Sequence, residues 1–227
     1  MPEYYEAYDA RYRAIHGTGA RWFSDAPSPI VGQTLAKYGF SPGAHILELG
    51  CGEGRDAIPL MRAGFDLLAT DVSPAAIACC RQLCPQYAGR FAVLDCLRGE
   101  TRSRFDFIYA VAVVHMLVPD YDRLAFYRFL RTHLTQRGLA LVCSMGDGEM
   151  TSSSDPREAF ELREREFKGK TLLLPSTSCR MVDWPAFEAE IASSGLSILE
   201  KGLTAVEPDF PEMMYAVVTI PDCSAMS

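Results

Sequence analysis

Acidic residues and glycines recur at chemically suggestive spacings in the first half of this chain. Glu48 is followed by Gly50, Gly52 and Gly54, and Asp71 stands 21 residues after Gly50. Asp95 ends a later apolar run, and His115 ends another. Alternating glycines permit a tight turn and let a ligand press against bare backbone. An acidic side chain about 20 residues beyond such a loop is placed to hold ribose hydroxyls. A histidine has an unperturbed pKa suited to proton transfer near neutrality.

These residues need elements to position them. Ile46, Leu47 and Leu49 read as a buried strand entering the glycine loop, and Ala57 to Met61 as a helix leaving it, with Pro59 in its first turn. Leu67 to Thr70, Phe91 to Leu94, Phe105 to Val114 and Leu139 to Ser144 read as further strands. Helices are expected between them: about 29–38 and 74–84, each opened by Ser-Pro, and 121–134, stopped at Gln136-Arg137-Gly138. The second is expected to turn Ile77, Cys80, Leu83 and Cys84 inward. This alternation implies an α/β, Rossmann-like, doubly wound sheet with helices on both faces. Ligands bind such sheets at the carboxyl ends of the strands. Glu48, Asp71, Asp95, His115 and Ser144 all fall on that edge.

With these elements laid out, Glu-x-Gly-x-Gly-x-Gly and the later Asp resemble the first two motifs of class I S-adenosylmethionine-dependent methyltransferases. The resemblance implies that Glu48 lies near the cofactor's amino group and that Gly50, Gly52 and Gly54 lie under its methionyl part. It implies that Asp71 holds the ribose and Asp95 the adenine amine, with Cys51, Arg55, Val72 and Cys96 beside them. His115 follows strand four, where the family often faces the transferable methyl, and is the expected general base. The Gly-x-Gly-x-x-Gly spacing of dinucleotide-binding dehydrogenases is absent, because position 55 is Arg.

Outside this core, Tyr5, Tyr8, Tyr12 and Ile15 lie on one face of an N-terminal helix, and Trp22 and Phe23 follow in a loop. The segment 1–40 is therefore expected as a helical lid that excludes water. Residues 44–145 form the cofactor-binding core. Residues 146–182 are a polar excursion above the strand tips, with a charged helix over 155–167. Residues 183–221 close the sheet with a helix, turning Phe187, Ile191 and Ala192 inward, and two strands, including an antiparallel one. Tyr8, Tyr12, Trp22, Asp147, Arg180 and Tyr215 are the expected acceptor contacts; His45 and His133 are expected on the surface.

The 227 residues are 48% apolar with a formal net charge of −7, so a globular chain is expected. No basic run exceeds two residues, which disfavours a nucleic-acid substrate. No 18-residue apolar run marks a membrane span. Met1 to Glu6 lacks the pattern of a secretory leader, and the eight cysteines then read as reduced thiols in a cytoplasmic protein. No metal is expected, since Cys80 and Cys84 lack partners at zinc-like spacing. The sequence thus points to a methyltransferase for O, N or S of a small molecule. A peptide or protein methyltransferase, or a non-catalytic S-adenosylmethionine-binding module, is the alternative. It does not indicate an oligomeric state.

Overall fold

The computed structural model describes residues 2–221. A 3-10 turn, Tyr4–Glu6, leads into helix α1 (Ala7–His16), and α2 (Pro29–Lys37) follows. The core then runs β1 (His45–Leu49), α3 (Ala57–Arg62), β2 (Asp66–Asp71), α4 (Pro74–Leu83), β3 (Phe91–Val93), β4 (Phe105–Val111), α5 (Asp120–His133) and β5 (Leu134–Met145). Short strands β6 (Ser152–Ser153), β7 (Leu162–Phe167), β8 (Lys170–Pro175) and β9 (Arg180–Met181) form the excursion. Helix α6 (Trp184–Ser193) and strands β10 (Ser197–Val206) and β11 (Phe210–Thr219) complete the chain.

Seven strands form one sheet in the order β10-β11-β5-β4-β1-β2-β3. All pairings among β1 to β5 are parallel, and β11 runs antiparallel to both of its neighbours. The sheet is thus the Rossmann-like arrangement the strand–helix alternation implied. Chain order reverses at β1, whose neighbours are β2 and β4, so the glycine loop opens at the switch point. Helices α2, α3 and α4 bury Ile30, Val31, Leu35, Ile58, Met61, Ile77 and Cys80 on one face of the sheet. Helices α5 and α6 bury Phe126, Tyr127, Leu130, Phe187 and Ile191 on the other.

Several expectations need correction. The span 155–167 is no helix: Leu162–Phe167 pairs with Lys170–Pro175 as a hairpin. Its two-residue turn, Lys168-Gly169, has positive φ at both positions (49° and 75°), the geometry that suits strand twist. The alternating charges of Arg163-Glu164-Arg165-Glu166 are strand faces rather than helix pairs. Helix α5 ends at His133, because Leu134 already pairs with Phe105. Leu83 and Ala192 face solvent rather than the core. Ser28 does not cap α2; its N–H and hydroxyl both donate to Asp56, at 2.5 and 2.8 Å. His133 is buried against Phe129 and its Nε2 accepts from Thr101 N–H at 3.2 Å. His45 is half-buried, stacked on Phe105 and 2.9 Å from Asp66.

Candidate active site

A cavity of about 1010 Å³, counting its open mouth, lies above the carboxyl ends of β1, β2 and β4. Its floor is the loop from Glu48 to Asp56 with Thr70 to Val72, Leu94 to Leu97 and Val111 to Val113. Tyr5, Tyr8 and Tyr12 of the N-terminal segment roof it, and Phe23, Ser24 and Phe210 close one side.

The strand ends set the carboxylates. Glu48 is the fourth residue of β1 and pairs with Tyr109 on β4. Its Oε2 is buried and has no hydrogen-bond partner. Burial, and then the charge of Asp56, push its pKa well above the usual carboxylate range. A buried carboxylate oxygen left without a donor is costly, and a cationic ligand group would relieve it. Asp71 closes β2; it accepts from Gly52 N–H and Ser73 N–H, both at 2.8 Å. Burial raises its pKa to about 6 against the pull of those two N–H groups. Asp95 follows β3 and accepts from the Tyr5 hydroxyl at 2.8 Å and from Leu97 N–H at 2.9 Å.

Gly50, Gly52 and Gly54 have φ of 72°, 52° and 81°. A Cβ at Gly50 would overlap Val113, and one at Gly52 would stand 2.7 Å from the Tyr12 hydroxyl. Both positions are therefore closed to a side chain, because Val113 packs against Gly50 and the Tyr12 hydroxyl stands over Gly52. Gly54 serves packing instead: it does not line the cavity, and a Cβ there would meet Ile58 at 2.8 Å. Cys51, Arg55, Val72 and Cys96 line the cavity as expected neighbours of the acidic residues. The Arg55 guanidinium lies over Phe23 and Phe210, 5.9 and 5.8 Å from their ring centres, and 3.4 Å from Asp209.

Other expected site residues lie elsewhere. His115 is buried but does not line the cavity. It sits in the turn Val114–Met116, whose Val114 carbonyl accepts from Arg123 at 2.7 Å; the next residue, Leu117, accepts from the same nitrogen at 3.2 Å. Burial and the Arg123 charge lower the His115 pKa to about 3, so the ring is neutral across ordinary pH. Asp147 accepts from Glu149 and Met150 N–H within its own turn. Arg180 is spent on the Val118 carbonyl at 2.7 Å and on Asp120, and Tyr215 donates to Glu200 at 2.9 Å. None of these three lines the cavity, whereas Tyr8 and Tyr12 do. Trp22 stands just behind the lining, stacked on Phe23 with ring centres 4.8 Å apart.

Sequence reading passed over Tyr5, Glu53 and Phe210 as site residues; Asp56, which follows the glycine loop directly, lines the cavity and lies 3.7 Å from Arg55. Tyr5 belonged to a recognised aromatic face, so its presence in the roof was within reach. Phe210 lies far along the chain and had no local signal. Among the described residues, His16, Glu53 and Cys79 bring potential metal-ligand atoms within 4.8 Å of one another.

Residues 46–138 match the family model of the methyltransferase domain. Together with the strand order and the glycine loop, this makes the core a class I S-adenosylmethionine-dependent methyltransferase fold. Among solved structures, the CcbJ methyltransferase from Streptomyces caelestis superposes with a TM-score of 0.69 at 14% identity, covering 94% of this chain and 99% of that one. The glycopeptide N-methyltransferase MtfA, complexed with S-adenosylmethionine, gives 0.62 at 18% identity over 89% and 97%. The Burkholderia thailandensis 1,6-didemethyltoxoflavin-N1-methyltransferase gives 0.62 at 14% over 86% and 77%. In sequence, the chain is 30% identical over 95 residues to a magnesium-protoporphyrin O-methyltransferase from Rhodobacter capsulatus, 40% of this chain and 42% of that protein. It is 38% identical over 107 residues to hemagglutinin 1 from Eikenella corrodens, 44% of this chain and 34% of that protein. The match thus spans less than half the length of either curated relative.

Proposed function

We propose that this chain is an S-adenosylmethionine-dependent methyltransferase acting on an O, N or S atom of a small molecule. The observation that carries the reading is the charge of the cavity. Glu48, Asp56, Asp71 and Asp95 line it with Arg21 and Arg55, and among the described residues no lysine does; the Glu53 carboxylate is taken up by His16, Trp22 and Phe23. A sulfonium with an adjacent ammonium suits such a site; the pyrophosphate of a dinucleotide does not.

In this reading the orphaned Glu48 oxygen receives the cofactor's ammonium. Asp71 accepts from the ribose hydroxyls, and Asp95 from the adenine amine. Gly50 and Gly52 give the methionyl part bare backbone. When bound, the cofactor supplies an electrophilic methyl carbon: an acceptor lone pair forms the new bond as the carbon–sulfur bond breaks, and the acceptor's proton leaves to solvent. The chain's contribution is alignment and exclusion of water, which can supply roughly 7–11 kcal/mol. The tyrosine roof and the 146–182 excursion act as the cap over the core, and Phe23 and Phe210 as acceptor walls. His115 acts as a neutral wall-supporting residue rather than as the base.

A roofed cavity, rather than an open groove, supports a small acceptor over a peptide. The didemethyltoxoflavin named for one structural relative points the same way. Among the described residues no helix is long and apolar enough to cross a membrane. The free thiols of Cys51, Cys80, Cys84 and Cys143 fit a reducing, cytoplasmic setting. The test is transfer of label from methyl-labelled S-adenosylmethionine to a panel of small phenols, amines and thiols. Labelled product with stoichiometric S-adenosylhomocysteine is expected; label incorporated only into added peptides would overturn the acceptor class.

A further inference from the structure

We propose that Glu53 is the latch that holds the N-terminal cap closed over the cavity, so that cofactor exchange is gated by its release. The inference rests on the cofactor reading above, but its geometry is independent of it. Glu53 stands between Gly52 and Gly54 in the loop that floors the cavity, and its side chain is buried. It belongs to the floor, yet its partners all belong to the roof segment. Trp22 N–H donates to both of its oxygens at 3.0 Å, and Phe23 N–H donates to Oε2 at 3.2 Å. His16 Nε2 lies 2.7 Å from Oε1, and Arg21 donates to the Glu53 carbonyl at 3.1 Å.

What the latch holds matters to the site. Phe23 lines the cavity and meets Phe210 at 5.7 Å between ring centres; Trp22 backs Phe23 and meets Tyr12 at 5.0 Å. Tyr12 in turn stands over Gly52, whose N–H is bound to Asp71. A single carboxylate thus joins the ribose end of the floor to the aromatic wall. Tyr5, Tyr8 and Tyr12 roof the cavity, so lifting this segment widens the passage for a ligand the size of the cofactor. Charged acceptors buried with several N–H donors form strong bonds, and removing the acceptor leaves those donors unpaired.

A gate has a kinetic signature that a ligand contact lacks. Removing a contact speeds dissociation and weakens affinity; removing a latch speeds association and dissociation together. The experiment uses the full chain with Trp184→Phe, so that Trp22 is the remaining tryptophan. S-adenosylhomocysteine binding is followed by stopped flow, and Trp22 exposure by acrylamide quenching. Glu53→Ala is expected to raise both rate constants about tenfold while the dissociation constant moves less than threefold, with Trp22 quenched several-fold more readily. Glu53→Gln, which keeps one acceptor oxygen for the two N–H groups, should restore most of the shielding. A raised dissociation rate with an unchanged association rate would overturn the latch and make Glu53 a ligand contact. Unchanged quenching in Glu53→Ala would overturn it as well. If the parent chain binds no S-adenosylhomocysteine, the cofactor reading fails, and the quenching arm still decides the latch.

Discussion

Glu48 and Glu53 are carboxylates five residues apart in the floor of one cavity, and both are buried, at 4% and 2% exposure. Glu48 sits on a strand and keeps an oxygen with no partner, while Glu53 sits in a loop and accepts three backbone bonds and faces a histidine. A buried acid without donors is unstable alone and is relieved by a ligand; a buried acid surrounded by the chain's own donors is structural. Burial alone therefore does not mark a binding residue. The same contrast separates the sheet edge, which presents groups, from the N-terminal cap, which closes over them.

Variants of the floor sharpen the contrast most. Gly50→Ala would force a side chain into positive φ and against Val113. Together these should cost about 3 kcal/mol, which lowers the melting temperature by roughly 6–12 °C at this chain length and abolishes cofactor binding. Scanning calorimetry of the variant checks both. Asp71→Ala should weaken S-adenosylmethionine binding at least tenfold, about 1.4 kcal/mol, read by titration calorimetry; unchanged affinity would remove it from the site.

Asp71 also gives a pH dependence. Its folded pKa of about 6 lies above the unfolded value, so the empty protein loses stability as pH rises through the window between them. The ionised form is the better acceptor for ribose hydroxyls. Cofactor affinity should thus fall as pH drops below about 6, measured as dissociation constants from pH 5 to 8, and the dependence should vanish in Asp71→Asn. His115→Gln should lower turnover less than tenfold. Because its ring is neutral well above its pKa of about 3, the rate profile from pH 6 to 9 should show no inflection that the variant removes. A lost inflection would restore it as the base. The smallest effect is expected for Tyr5→Phe, which removes one bond to Asp95 and should cost about 1 kcal/mol of stability with cofactor affinity changed less than threefold.

The floor was legible in the sequence because its rules are local. A strand, three glycines at positive φ and an acid at the next strand end follow from spacing within 25 residues, and Glu48, Asp71 and Asp95 line the cavity. The cap obeys long-range contacts. Tyr8 reaches the Ser178 carbonyl, and Ser24 donates to Asp209, neither foreshadowed by any pattern around it. Arg180 and Tyr215 were expected to reach an acceptor from the cap and the final strands, but their side chains bond to partners outside the cavity. The hairpin at 162–175 was misread because alternating charge fits both a helix surface and an exposed ribbon. The Lys168-Gly169 turn was the signal that distinguishes them.

The central claim is that an acidic cavity over a glycine loop takes a sulfonium cofactor. A thermal-shift comparison of S-adenosylmethionine, S-adenosylhomocysteine and NAD tests it most directly. A ligand at 100 times its dissociation constant adds about 2.7 kcal/mol, which at this length raises the melting temperature by roughly 5–10 °C. That rise is expected with the two adenosyl ligands and none with NAD; a rise with NAD alone would contradict a sulfonium site.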